Sequence, residues 1–175
     1  MPSRRQRDSS GSSNYELFPN PGTLPTKPPP SPGEQITICV EGLPPYKDSY
    51  RSLRNVRHPN YEAFVKLREA ATERMAGRAW YEGPVALTMV ICRRAFHPQE
   101  ATSRSVNGRP LVDYLGGVFD SLDGSHGRTF TYLPIVYQDD SQVVHAHMSI
   151  VNGDEQGDSY TVTVEFLTPD WKDDR

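Results

Sequence analysis

Two adjacent carboxylates are the most distinctive chemical feature of the sequence. Asp139 and Asp140 lie in the segment YQDDSQV (137–143), just before an apolar run. Neighbouring acids repel each other unless a cation or hydrogen-bond donors offset their charge. Mg²⁺ prefers carboxylate oxygens and keeps several waters, so two or three acids are enough to hold it. The pair therefore indicates a Mg²⁺ site, with Mn²⁺ as the alternative ion; the competing interpretation is an ordinary acidic turn.

Asp113 and Asp120 are the next carboxylate candidates. They are seven residues apart in a segment with helical spacing, so they share a face but are separated by about 10 Å along the helix axis. We therefore expect at most one of them to join Asp139 or Asp140. Asp113 is favoured because it lies in the first turn, whereas Asp120 is interpreted as a structural hydrogen-bonding residue.

A basic segment supplies candidate phosphate contacts. Residues 42–109 carry twelve basic and six acidic groups, whereas residues 110–175 carry three basic and twelve acidic groups. Such an asymmetry suits a chain that follows phosphates with one half and holds a metal with the other. The alternative is that these charges only solvate the surface. Five basic residues fall within twelve positions and are predicted to bind DNA: Lys47, Arg51, Arg54, Arg57 and His58.

The hydrophobic periodicity predicts the elements that position these residues. Alternating residues predict strands over 35–40, 85–91 and 160–166, and a further strand within 135–151. Helical spacing predicts one helix between Asn60 and Gly77 and another over 111–122. The order is β-α-β-α-β-β, with the last two strands expected to form an antiparallel hairpin. The predicted fold class is α+β, a mixed β-sheet with two main helices packed on it.

Composition divides the 175 residues into a domain and two tails. Residues 1–33 hold eight of the sixteen prolines and predict a disordered tail, residues 34–168 the domain, and residues 169–175 a short polar tail. No apolar run approaches the roughly 20 residues that a membrane helix needs. Two cysteines are too few for a disulfide scaffold, which indicates a reducing cytoplasm.

Three segments resemble the RusA family of Holliday junction resolvases, which are small dimeric endodeoxyribonucleases. They are GLPP (42–45) with the basic residues after it, RPLVDYL (109–115) running into VFDSL (118–122), and YQDDSQV (137–143). The resemblance implies a Mg²⁺-dependent homodimer, of bacterial or phage origin, that cleaves branched DNA. It also implies Asp113 and Asp140 as metal ligands, and Asp113, Asp139 and Asp140 as catalytic residues.

The first acidic box of the family, Pro-Asp-x-Asp-Asn-Leu-x-Lys, differs here. Leu111 stands where the family has its leading aspartate, and Gly116-Gly117 stand in place of the lysine. Asp120, Asp123 and Glu100 are the alternatives for the missing acid, and Arg104 or Arg109 is a candidate substitute for the lysine. Two other functions stay open: a catalytically inactive RusA-like DNA-binding protein, and a protein-interaction scaffold on the same fold.

Overall fold

The computed structural model describes residues 25–47, 51–94, 105–124, 133–153 and 157–170. Within these residues, two helices and a mixed sheet of four strands make the domain α+β, which confirms the predicted class. The helices are α1 (Tyr61–Met75) and α2 (Leu111–Leu122). The strands are β1 (Gln35–Glu41), β2 (Val85–Arg93), β3 (Ser105–Val106), β4 (Arg109–Pro110), β5 (Val143–Asn152) and β6 (Ser159–Phe166). The short strands β3 and β4 pair with each other just before α2.

The strand order in the main sheet is β1-β6-β2-β5. β6 is antiparallel to both of its neighbours, and β5 is parallel to β2. The predicted hairpin between β5 and β6 is therefore wrong, because β2 separates them. The reason lies in burial: Val162, Val164 and Phe166 of β6 are fully buried, which suits a central strand. β5 is only partly buried and carries His145 and His147, which suits an edge.

The core lies between one face of the sheet and the two helices. On β2, Val85, Leu87, Met89 and Ile91 are all fully buried and alternate with residues of the outer face. The helices contribute residues at the predicted spacing, among them Phe64, Leu67, Ala71, Val118 and Leu122. Burying each of these Val, Leu, Ile, Phe or Met side chains stabilises the fold by roughly 1.5–3 kcal/mol, and the methyl group of Ala71 contributes less. Among the described residues, no helix has the length and apolar character needed to cross a bilayer.

The segment that follows β1 packs directly on α2. A Cβ atom added to Gly117 would lie 2.2 Å from the carbonyl oxygen of Pro45 and 2.9 Å from the Cα atom of Tyr46. A Cβ atom at Gly116 would lie 3.0 Å from Cδ of Lys47. The two glycines inside the helix therefore have a packing role. They let the 45–47 backbone approach α2 and let one lysine side chain cross it.

Replacing Gly117 by alanine is expected to lower the free energy of unfolding by about 1–3 kcal/mol, the usual cost of overpacking. The added methyl group meets main-chain atoms of Pro45, which cannot rotate away. Gly116→Ala is the matched control, because its methyl group meets only the flexible side chain of Lys47 and the helix gains up to ~1 kcal/mol in propensity. Urea denaturation of both variants checks this pair; equal stability of the two would contradict the close approach.

The segment 25–33, assigned to the tail from its composition, contacts the domain. The backbone N–H groups of Thr26 and Lys27 donate to the carbonyl oxygen of Gly77 over 3.0 and 3.1 Å. The N–H group of Gly33 donates to the carbonyl oxygen of Phe166 over 2.6 Å. These hydrogen bonds attach the segment to the end of α1 and to β6. Residues 1–24 and 171–175 lie outside the described part of the chain.

Candidate metal centre

Three carboxylates converge where α2 ends and β5 begins. One oxygen atom from each of Asp120, Asp123 and Asp140 can be chosen so that all three lie within 4.8 Å of one another. Asp123 is buried, Asp120 is partly buried, and Asp140 is exposed. We call these three residues the carboxylate cluster. Its inner side, at Asp123, is buried, and its outer side, at Asp140, is exposed to solvent.

The C-terminal end of α2 positions Asp120 and Asp123. The buried guanidinium of Arg68, on α1, donates from Nη1 to the carbonyl oxygens of Ser121 (2.8 Å) and Asp123 (3.2 Å). From Nη2 it donates to the carbonyl oxygen of Leu133 (2.8 Å), in the segment that precedes β5. A cation at the C-terminal end of a helix also complements the helix dipole. Arg68 thus fixes the backbone from which both acids project.

A capped turn positions Asp140. It forms a single turn of 3-10 helix over Asp140–Gln142, in which the Asp139 carboxylate accepts a hydrogen bond from the N–H group of Ser141 at 2.9 Å. The side chain of Gln142 accepts from the N–H groups of Gln138 (2.8 Å) and Asp139 (2.9 Å). Its amide nitrogen donates to the carbonyl oxygens of Tyr81 and Gly83, which precede β2. The two acids of the pair therefore have different roles, because Asp139 caps the turn and Asp140 enters the cluster.

A main-chain hydrogen bond joins the two parts of the cluster. The N–H group of Gly124 donates to the carbonyl oxygen of Gln138 at 3.1 Å, next to Asp123 on one side and Asp139 on the other. The N–H group of Val136 donates to the carbonyl oxygen of Leu122 at 3.1 Å. These contacts bring together acids that are 17 residues apart in the sequence, Asp123 and Asp140.

Two cations from the basic segment contact the cluster. Lys47 Nζ lies 3.1 Å from Oδ1 of Asp120, and Arg54 Nη2 lies 2.9 Å from Oδ1 of Asp123. Nη2 of Arg54 also reaches the carbonyl oxygens of Asp120 (3.2 Å) and Gly124 (3.5 Å). Part of the charge asymmetry of the sequence is thus offset within the chain, because Lys47 and Arg54 of the basic half contact Asp120 and Asp123 of the acidic half.

Burial makes ionisation of the two inner acids costly. It raises the pKa of Asp120, against the opposing effects of the hydrogen bond and charge of Lys47. It raises the pKa of Asp123 to about 7, and the neighbouring charges of Asp120 and Asp140 act in the same direction. The charge of Arg54 lowers the pKa of Asp123, but the effect of burial is larger. Buried acids with raised pKa values are typical of functional sites.

The raised pKa of Asp123 predicts a pH-dependent stability. The folded chain keeps this proton up to about pH 7, whereas an unfolded aspartate loses it near pH 4. Folding therefore takes up a proton between these values, so the contribution of this group to stability falls as the pH rises from about 4 to about 7. Between pH 5 and pH 8, the unfolding free energy of wild type should fall by about 2–3 kcal/mol relative to Asp123→Asn. Parallel pH profiles for the two proteins, measured by urea denaturation, would contradict it.

The carboxylate cluster fits a hard divalent cation. The ligand oxygens of an octahedral ion with bonds of about 2.1 Å lie about 3.0 Å apart when adjacent and about 4.2 Å apart when opposite. Oxygens within 4.8 Å of one another can reach this geometry through small side-chain rotations. The exposed side leaves room for water or for an oxygen of a substrate. Among the described residues, the cluster offers only carboxylate oxygens, and such oxygens favour Mg²⁺, Mn²⁺ or Ca²⁺ over zinc.

The structure distributes the acids differently from the sequence interpretation. Asp113 lies in the first turn of α2, two turns away from Asp120 and outside the carboxylate cluster. Asp139 caps the turn, and Asp140 belongs to the cluster as expected. Asp120 is a cluster member and not only a structural residue. Asp123, one of three alternatives for a missing acid, completes the cluster, and Glu100 lies outside the described residues.

The predicted DNA contacts divide into exposed and internal residues. Arg51 and Arg57 are exposed, and Lys47 is half exposed with its Nζ atom at the cluster. Arg54 is largely buried against Asp123. His58 is only 3% exposed, and its Nδ1 atom accepts from the N–H group of Asn60. A buried imidazole cannot reach a phosphate at the surface, so the structure does not support His58 as a DNA contact.

Arg109 does not lie at the carboxylate cluster in the role that the sequence suggested. Its guanidinium carbon lies 3.5 Å from the centroid of the Tyr46 ring, in a cation–π contact. The same ring packs edge-on against His58 and Tyr114. Arg109 therefore holds the aromatic residue that precedes Lys47. Arg104, the other candidate, lies outside the described residues.

Fold and site together define an α+β domain with a carboxylate cluster suited to a divalent cation and flanked by basic residues. No protein-family model matches the chain, and no curated protein matches it. The likeness to the RusA resolvases therefore rests on the sequence motifs and stays a prediction.

Proposed function

We propose that the protein is a Mg²⁺-dependent endodeoxyribonuclease, related to the RusA resolvases, that cleaves Holliday junctions or other branched DNA as a homodimer. The single observation that supports this most is the convergence of Asp120, Asp123 and Asp140 on one partly open site. The sequence segments that carry the likeness to RusA contribute two of these acids, Asp120 and Asp140. The basic residues beside the site match a phosphodiester substrate.

The cluster residues have distinct tasks in this proposal. Asp120, Asp123 and Asp140 would hold the ion, which when bound would polarise a phosphate oxygen and make a water nucleophilic at neutral pH. Asp140 faces solvent, so it lies at the substrate side of the site. Arg51 and Arg57 have exposed side chains that can follow a DNA backbone. Asp139 and Gln142 keep the turn that carries Asp140 in place.

Incision of a labelled four-way junction tests the function. Wild type with Mg²⁺ or Mn²⁺ is expected to nick paired strands, as a two-fold symmetric dimer would, and EDTA is expected to stop it. A linear duplex of the same sequence controls for non-specific nuclease activity. A chain that binds no divalent cation and cuts no branched DNA would contradict the proposal. Sedimentation velocity tests the dimer independently.

A second candidate is a RusA-like protein that binds branched DNA without cleaving it. Lys47 and Arg54 favour this candidate, because they already contact two of the three acids of the cluster, where a metal ion would otherwise bind. Junction affinity that falls steeply with salt, without incision in any divalent ion, would select it. Detectable incision that requires Asp140 would exclude it.

A further inference from the structure

Lys47 reaches the carboxylate cluster by an unusual path. The backbone of this residue is fixed to the first turn of α2, since its N–H group donates to the carbonyl oxygen of Asp113 at 3.0 Å. Its side chain then runs over Gly116 to Asp120, where Nζ lies 3.1 Å from Oδ1. Any residue with a Cβ atom at 116 would press on Cδ of Lys47 at 3.0 Å. The helix thus has a glycine, with no side chain, at the position where the side chain of Lys47 crosses it.

The ammonium group is also accessible. The side chain of Lys47 is 50% exposed, against 17% for Arg54, the other cation at the cluster. An ammonium group has three N–H donors, and the Asp120 carboxylate occupies one. Nζ can therefore donate to a further anionic oxygen at the solvent side without leaving Asp120. Arg54 is shared among carbonyl and carboxylate oxygens of the chain itself, which suits a structural cation.

We propose that Lys47 is a catalytic residue, which donates a hydrogen bond from Nζ to a non-bridging oxygen of the scissile phosphate, and that Gly116 is the element that lets it do so. The inference rests on the proposed phosphodiesterase function. A fixed positive charge next to the cluster stabilises the extra negative charge that develops on the phosphate during hydrolysis. Lys47 arrives from outside the helix, so the sequence pattern predicts it only as one of five DNA contacts and not as part of the carboxylate cluster.

The test compares Lys47→Met, Lys47→Arg and Gly116→Val with wild type on a junction substrate. Lys47→Met keeps an apolar stem over Gly116 and removes the charge, so kcat at saturating DNA should fall about 10²-fold. Lys47→Arg should restore part of the loss. Gly116→Val should lower kcat with the lysine still present, because the new side chain occupies its path. Lys66→Met, which removes an exposed charge on α1, is the control and should leave kcat unchanged.

Mn²⁺ affinity, measured by titration of each variant, separates this role from a structural one. Lys47→Met should bind Mn²⁺ as well as wild type or better, since a competing cation has left Asp120. Loss of Mn²⁺ binding in Lys47→Met, or an unchanged kcat while wild type cuts, would overturn the inference and leave the proposed function standing. A wild type that binds Mn²⁺ but never incises branched DNA would overturn both. Thermal unfolding of Gly116→Val shows whether its loss of activity comes from displacement of the Lys47 side chain or from loss of folded protein. If Gly116→Val is unfolded, the result for Lys47→Met decides the test.

Discussion

Asp120→Asn, Asp123→Asn and Asp140→Asn are each expected to lower Mg²⁺-dependent cleavage by about 10³-fold or more, whereas Asp113→Asn is expected to retain most of it. Each of the three replaces a charged ligand of the carboxylate cluster with a neutral one. A divalent ion is worth several kcal/mol of transition-state stabilisation, and about 1.4 kcal/mol corresponds to a factor of ten in rate. Asp113 lies two turns away along α2 and holds the 45–47 segment through its main-chain carbonyl, which the substitution keeps.

Calorimetric titration with Mn²⁺ provides a second measurement that does not depend on turnover. The affinity should fall by more than about tenfold in the three cluster variants and should be unchanged in Asp113→Asn. Asp139→Asn is an intermediate case, because its side chain caps the turn that carries Asp140 and an amide oxygen can still accept from Ser141. Retained activity in Asp123→Asn together with loss in Asp113→Asn would refute the carboxylate cluster as the metal centre.

Much of the architecture follows from local sequence patterns. Alternation in 85–91 and 160–166 and helical spacing in 61–75 and 111–122 each predict an element that the structure contains. Pairing of the strands does not follow in the same way. The choice between a β5–β6 hairpin and the insertion of β6 between β1 and β2 depends on how much surface each strand buries. That is a property of the folded sheet and not of either segment alone.

The candidate site was predictable in part, for a similar reason. The acids at 139 and 140 stand out because they are adjacent, and capping chemistry explains why the second of them is the one presented. Asp123 carries no such signal, because it is a single acid that follows the last residue of α2. Its role depends on the Gly124–Gln138 hydrogen bond, which joins the end of α2 to the segment before β5. Helical geometry did correctly show that Asp113 and Asp120 cannot share one ion.

Arg68 is the residue least predictable from sequence, since a basic residue in an amphipathic helix usually faces solvent. Here it is 1% exposed and lies over the ring of Phe64, with its guanidinium carbon 5.7 Å from the ring centroid. Its three carbonyl acceptors belong to the end of α2 and to the loop beyond it. Such a residue costs free energy to bury and is retained only where the acceptors would otherwise be unsatisfied.

Arg68→Met is therefore expected to lower the free energy of unfolding by about 3–5 kcal/mol. Methionine fills much of the volume but donates to none of the three carbonyl oxygens, and each buried unsatisfied acceptor costs about 1–3 kcal/mol. Arg74→Met removes the same charge from an exposed position of the same helix and should change stability by less than about 0.5 kcal/mol. Urea denaturation measures both.

Because Arg68 also fixes the backbone of Asp123, Arg68→Met should weaken Mn²⁺ binding even where the protein is still folded, whereas Arg74→Met should not. Equal stability and equal Mn²⁺ affinity in the two variants would show that the hydrogen bonds of Arg68 are not needed to hold the end of α2.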